Sequence, residues 1–114
     1  MVDRKLITVI KQLHKKTLAG KIFWEATVEA DVYQASFPGS TIKIFPQGAD
    51  YVVMIYNDEG VLIEEVNDTD FDPDDFGDED PYAFLDELYS MARRRALGVD
   101  EALDSLLDEL EAED

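Results

Sequence analysis

Three apolar runs separated by turn residues decide the fold of this chain: TIKIFPQGADYVVMIYNDEGVLIEEV, residues 41–66. Short apolar runs bounded by Pro, Gly, Asn and Asp are typical of β-strands joined by tight connections. We therefore predict strands over residues 41–45, 51–56 and 61–66. Because these connections are too short for a crossover, consecutive strands are expected to pair in antiparallel fashion.

Two more strands are predicted before this stretch, over residues 22–28 and 32–37. Residues 22–28 alternate between two sets of side chains with a period of two, which indicates a strand with one buried face. Residues 51–56 are apolar at every position, as in a central strand or one covered on both faces. If one face of this five-stranded meander stays uncovered, it becomes a partner-binding surface, with helix cover and self-association as alternatives. The candidate partner-binding residues on the sheet are Trp24, Met54 and Tyr56.

Helical patterns flank the predicted sheet. Residues 3–19 carry apolar side chains at spacings of three and four, with basic side chains on the opposite face. Asp80 and Pro81 are typical of a helix start, and the helix they open is expected to run over residues 81–97. Another helix, with a narrow leucine seam, is predicted over residues 100–112. The predicted fold class is α+β: an N-terminal helix, a five-stranded antiparallel meander, an acidic linker and two C-terminal helices.

The domain organisation follows from these elements. The chain has 114 residues, which is enough for one domain. We predict a single α+β domain over residues 1–98, which contains the acidic linker at 67–80. Residues 99–114 are predicted to form an acidic C-terminal helix that either docks or frays, because a helix of this length is marginal in water.

The charge of the chain is concentrated at its C-terminal end. The formal net charge is −17, from 27 acidic and 10 basic residues. Residues 1–21 hold six basic groups against Asp3, whereas residues 67–114 hold 3 basic and 18 acidic groups. This balance argues against direct nucleic-acid binding and against docking on an anionic membrane, since both need a positive surface.

Composition excludes several other classes of protein. The chain has no cysteine, so disulfides, thiolate metal sites and cysteine nucleophiles are excluded. No apolar run is long enough to cross a bilayer. The first five residues lack the apolar core of a signal peptide, so we expect a cytoplasmic protein.

The acidic linker invites comparison with a calcium-binding loop. If the first ligand is Asp68, acidic side chains fall at the third, fifth and twelfth positions of an EF-hand loop. Pro73 occupies the sixth position, where that loop needs Gly, so a solvated linker is the preferred interpretation. The weak metal-ligand candidates are Asp68, Asp70, Asp72 and Glu79.

Three consecutive arginines stand out within the acidic half of the chain. Arg93, Arg94 and Arg95 fall in the last turns of the helix predicted over residues 81–97. Cations at that position complement the helix dipole, which explains them without any partner. A docking or anion-recognition role is the alternative, and all three are candidate partner-binding residues.

The sequence contains no recognisable catalytic motif. His14 is the only histidine, and its place at the edge of the apolar stripe is typical of a boundary residue. No serine lies in a GxSxG context, and neither a phosphate-binding loop nor GxGxxG is present. We therefore expect neither an enzyme nor a cofactor-binding protein.

Two functional hypotheses from different classes remain. The first is a small acidic cytoplasmic module that binds another protein, such as an adaptor, an inhibitor or a chaperone-like protein. A homodimer is the alternative to a different partner. The second is a nucleic-acid mimic that occupies the basic groove of a DNA-binding protein or nuclease. Steep salt dependence would favour the mimic, and sensitivity to truncation of apolar side chains would favour the module.

Overall fold

The computed structural model describes residues 2–112 and has the α+β architecture that the sequence predicts. Met1, Glu113 and Asp114, which belong to the predicted ranges 1–98 and 99–114, lie outside the described residues. The elements, in chain order, are α1 (Arg4–Leu18), β1 (Trp24–Ala26), β2 (Tyr33–Phe37), β3 (Ser40–Gln47), β4 (Asp50–Asn57), β5 (Leu62–Asn67), a 3-10 turn (Asp68–Asp70), α2 (Pro81–Ala96) and α3 (Val99–Ala112).

The five strands form one sheet in sequence order, and each strand is antiparallel to its neighbour. The predicted meander is therefore confirmed, although the strand bounds differ from the prediction, most clearly in β1 and β3. β1 covers only Trp24–Ala26 of the expected 22–28. β3 continues through Pro46, which pairs with Tyr51 of β4. Pro46 is tolerated there because β2 pairs with β3 only as far as Ile44, so no strand needs the missing N–H on the other side.

The core lies between one face of the sheet and the two helices α1 and α2. Residues facing each other across the strands make up the sheet's share of this core: Trp24, Tyr33, Ala35, Ile42, Ile44, Val53 and Val66. Ile10 of α1 and Leu85 and Leu88 of α2 pack on this face and are fully buried. The opposite face, named here the open face, carries the row Glu25, Gln34, Lys43, Met54 and Glu65, none of which is buried.

Helix α1 forms where the apolar spacing predicts it. The side chain of Asp3 accepts a hydrogen bond from the Lys5 N–H at 2.6 Å and so caps the helix start. The buried residues of α1 are Leu6, Ile10, Leu13 and Thr17, which are spaced by three or four positions. Within residues 2–112, no helix combines the length and the apolar character that a bilayer span requires.

The acidic segment 67–80 is attached to the core, which corrects its interpretation as a solvated linker. Phe71 and Phe76 are each only 7% exposed and belong to the hydrophobic core. The Phe76 ring stacks on Phe84 of α2 with centroids 4.3 Å apart, and it contacts Phe71 at 4.9 Å. Most of the acidic side chains remain exposed. The segment therefore solvates its charges while two aromatic anchors hold it in place.

Candidate functional site

Helix α3 exposes an apolar face that nothing in the described chain covers. None of its residues is buried. Its four leucines recur at spacings of three, one and three, so they lie on one side of the helix. This leucine face consists of Leu103, Leu106, Leu107 and Leu110, which are 47–64% exposed. In this structure α3 is a formed helix that buries no residue on the rest of the domain, and whether it docks or frays stays a prediction.

The charge of α3 works against its stability as an isolated helix. Its 14 residues include six acids and no base. Asp100, Asp104 and Asp108 are spaced by four, so like charges face each other along one side. The last turn contains acids but no cation to complement the helix dipole. A helix with these properties gains most when a partner covers its apolar face and offers positive charge.

The three arginines lie at the junction between α2 and α3. All three side chains are exposed. The guanidinium of Arg94 forms an ion pair with Asp100 at the start of α3. Arg95 lies beside Gly20, and a Cβ built on that glycine would lie 3.4 Å from its Nη1. Gly98 completes the turn with φ +63°, and its N–H donates to the carbonyl of Arg95 at 3.3 Å. Arg94 thus helps to set the direction in which α3 leaves α2, and a partner-binding role for the three arginines stays a prediction.

An open apolar groove runs along the outer side of α1. One part, of about 310 Å³, lies between α1 and the β2–β3 hairpin. The second part, of about 410 Å³, continues toward the start of α1, and both parts share Thr8 and Val9. We name it the α1 groove, and its apolar lining consists of Val9, Leu13, Ile22, Phe37 and Ile42. Sequence reasoning missed this feature, because the groove joins residues from four separate segments of the chain.

Basic side chains border the α1 groove at both ends. Arg4 and Lys5 lie at one end, and Lys16 lies at the other. Helix α1 contains five bases and no acid. Within residues 2–112, none of these five bases forms an ion pair within 4.0 Å. The groove therefore combines an apolar floor with positive charge at its ends, although Arg4 also faces Asp72, Asp74 and Asp75 of the acidic segment across a neighbouring depression.

The sheet candidates divide between the two faces. Trp24 is only 2% exposed, and its indole N–H donates to the Thr17 hydroxyl at 3.0 Å in the core. Its prediction as a partner-binding residue is therefore wrong, because α1 and α2 cover that face. Met54 and Tyr56 lie half-buried on the open face, where the Tyr56 hydroxyl donates to Met54 Sδ at 3.2 Å. The ammonium of Lys43 lies 5.2 Å from the Tyr56 ring centroid, so these three side chains form one small cluster.

The candidate metal ligands serve other contacts or lie apart. Asp68 is buried, and its Oδ1 accepts the N–H of Tyr51 at 2.8 Å. The Asp70 Oδ2 accepts the N–H of Asn67 at 2.9 Å and completes a capping box. Asp72 and Glu79 do not join them in a cluster. Within residues 2–112, no group of three or more His, Asp or Glu side chains is placed to hold a metal ion.

His14 occupies the boundary position expected from the sequence. Its ring stacks on Phe84 with centroids 4.4 Å apart, and its Nε2 lies 2.8 Å from the Glu87 carboxylate. These contacts link α1 to α2. The ring of His14 and its Nε2 therefore both make contacts between α1 and α2.

The Tyr51 hydroxyl donates a hydrogen bond to the Asp86 carboxylate between β4 and α2. That hydrogen bond, together with burial and the charge of Asp86, raises the pKa of Tyr51 above its ordinary value near 10. The pKa of Tyr89 is also raised, chiefly by burial. Both tyrosines therefore stay protonated under ordinary conditions and act as hydrogen-bond donors rather than bases.

The raised pKa of Tyr51 makes part of the stability depend on alkaline pH. In the unfolded chain Tyr51 ionises near pH 10, whereas in the folded chain it keeps its proton to higher pH. We expect the wild type to be more stable than Tyr51→Phe by about 1 kcal/mol below pH 10. That advantage shrinks as the pH rises above 10, and urea unfolding from pH 8 to 11 measures it. An advantage that stays constant or grows over this range contradicts the assignment.

No protein-family model matches this chain, and the comparisons with curated proteins and with solved structures also found no match. The α3 leucine face and the α1 groove are therefore interpreted from their own geometry and charge.

Proposed function

We propose that this chain is a small acidic protein-interaction module, of the adaptor, inhibitor or chaperone-like kind, that docks through α3. One observation carries the proposal: α3 is a formed helix whose leucine face is exposed along its whole length. A contiguous apolar face of this kind is typical of a helix that lies in an apolar groove of a partner.

The leucine face can supply a useful part of a binding free energy. Fully burying a leucine side chain contributes about 1.5–3 kcal/mol relative to full exposure. The four leucines are about half exposed, so their complete burial contributes roughly 4 kcal/mol. A partner that also ordered α3 and paired its acids would add to this. The partner is thus expected to present an apolar groove with a basic rim.

The contacts of His14 support a non-catalytic role, because its Nε2 is engaged by Glu87 and its ring by Phe84. A cytoplasmic setting is also part of the proposal. It is supported by the absence of cysteine, since small secreted domains commonly depend on disulfides.

Nucleic-acid mimicry is the second candidate, and the ordered acids of α3 favour it. Asp100, Asp104 and Asp108 follow one another at helical spacing on a formed helix rather than on a flexible tail. A rigid row of carboxylates could occupy a basic groove in place of phosphates. The two functions differ in what drives binding: apolar burial in the first and charge in the second.

Capture of binding proteins from the native cell by the immobilised full chain tests the two functions. Leu106→Gln with Leu107→Gln removes apolar surface without changing charge or much helix propensity. The matched control, Ser105→Gln with Ala112→Gln, introduces the same residue on the opposite side of the helix and also leaves the charge unchanged. We expect a specific partner to be lost with the leucine variant and kept with the control.

A salt series on the same beads completes the test. The module retains its partner at about 1 M salt, where the screening length is about 3 Å. Nucleic-acid mimicry is favoured over the interaction module if two conditions hold. High salt and the variant Asp104→Asn with Glu109→Gln must each release the partner, and the leucine variant must keep it. If no variant changes what is captured, α3 is not the docking element.

A further inference from the structure

We propose that the α1 groove receives the α3 leucine face of a second copy of this chain, so that two chains associate by exchanging their C-terminal helices. The inference rests on the proposed function, because it takes α3 as the docking element and names its partner. The two surfaces are present in the same chain, which makes each copy both donor and acceptor.

The dimensions of the two surfaces match. The groove follows α1 from Arg4 to Lys16, which at 1.5 Å per residue is roughly 18 Å. From Leu103 to Leu110 the leucine face covers roughly 10 Å of α3. Val9 and Phe37 are partly exposed along the groove and offer apolar surface for these leucines to cover.

The charges of the two surfaces are complementary. Helix α1 carries five bases and no acid, and α3 carries six acids and no base. On a helical wheel, Asp104 and Glu111 border the leucine face on one side and Glu109 borders it on the other. When the leucines enter the groove, these acids come next to the basic residues at its two ends.

Helix α3 contributes no residue to the lining of the α1 groove of its own chain, as far as the structure describes it. Gly98 closes the end of α2, and Arg94 pairs with Asp100 in the first turn of α3. With α3 in this position the described chain extends 57 Å along its long axis, against 36 and 27 Å along the others. A second copy can cover both the leucine face and the groove without any change at this junction.

Sedimentation equilibrium of the full chain over a range of concentrations tests the inference. We expect a reversible monomer–dimer equilibrium for the wild type. Leu106→Gln with Leu107→Gln should weaken it at least about tenfold, because each of the two exchanged contacts loses two leucines. Val9→Glu should weaken it at least about as much by placing a carboxylate in the groove. The matched controls are Ser105→Gln with Ala112→Gln on α3, which leave the charge unchanged, and Val28→Glu at a fully exposed valine outside the groove lining.

Mixing the two defective proteins separates this exchange from any other dimer. The leucine variant keeps an intact groove, and Val9→Glu keeps an intact α3. Together they should form a mixed dimer through one intact contact, although each variant alone is mostly monomeric. Circular dichroism and urea unfolding of each variant confirm that it is folded.

Three results overturn the inference. The first is a wild type that stays monomeric at all concentrations. The second is a dimer whose stability does not change in the leucine and Val9 variants. The third is a monomeric wild type that the leucine variant destabilises, which would place α3 in the groove of its own chain. If the chain is monomeric but still captures another protein through its leucine face, the inference fails and the proposed function stands. If the leucine variant changes neither association nor capture, both fail.

Discussion

Replacing Trp24 by alanine is expected to lower the free energy of unfolding by about 3–5 kcal/mol. Trp24 is only 2% exposed in the core between the sheet and the helices. Its loss leaves a large cavity and removes the donor that pairs with the Thr17 hydroxyl. A loss of this size is a large share of the stability of a small domain.

The neighbouring aromatic residue provides a matched control. Phe23 is 78% exposed, so Phe23→Ala should change the free energy of unfolding by less than about 0.5 kcal/mol. Urea unfolding followed by far-UV circular dichroism measures both variants, since Trp24 is the only tryptophan and its fluorescence is lost in one of them. A larger effect of Phe23→Ala than of Trp24→Ala would mean that the helices cover the other face of the sheet.

Replacing Phe76 by alanine should cost about 3 kcal/mol. Phe76 is buried between Phe71 and Phe84, and the stack continues through Phe84 to His14 of α1. Its removal detaches the acidic segment from α2 and exposes the ring of Phe84. The result distinguishes a segment anchored in the core from a solvated linker, for which the same substitution would have almost no effect.

Asp74→Ala in the same segment is the control for this prediction. Asp74 is exposed, and its removal loses attraction to Arg4 and Lys11 while it relieves repulsion within the acidic segment. We therefore expect the free energy of unfolding to stay within about 0.5 kcal/mol of the wild type. Urea unfolding followed by the fluorescence of Trp24 measures both. Equal and small effects of Phe76→Ala and Asp74→Ala would contradict the anchoring of this segment.

Local periodicity was sufficient to predict the elements of the fold. Leu6, Ile10, Leu13 and Thr17 are buried at the spacing that predicted α1, and the turn residues between the apolar runs separate β3, β4 and β5. These features depend on neighbours in sequence. Short connections then determined the antiparallel order without further information.

The errors concern contacts between distant parts of the chain. The alternation of side chains along β1 defines two faces of the strand, but it does not show which face the helices cover. Trp24 is therefore predicted from the sequence to lie on a partner surface, whereas it lies in the core. The eight acids of the segment Asp68–Asp80 predict a solvated linker, although the segment also contains two phenylalanines. Composition does not reveal that Phe84 of α2 stacks on one of them, Phe76.

Of the two surfaces that form the candidate site, the sequence predicts only the leucine face of α3. The leucine seam of α3 is visible in the sequence, because its four members lie within eight residues. The α1 groove is not visible, since Val9 and Phe37 are 28 positions apart and meet only when α1 packs beside the β2–β3 hairpin. The match between the two surfaces therefore emerged from the structure.

Helix α3 is expected to serve docking and to contribute little to the stability of the remaining chain. Urea unfolding of the full chain and of a chain ending at Gly98, each at low and high protein concentration, tests this role of α3 most directly. At low concentration the two free energies of unfolding should agree within about 0.5 kcal/mol, because α3 has no buried residue. At high concentration only the full chain should gain stability, by association. A loss of several kcal/mol on truncation at every concentration would contradict this role and make α3 part of the folded core.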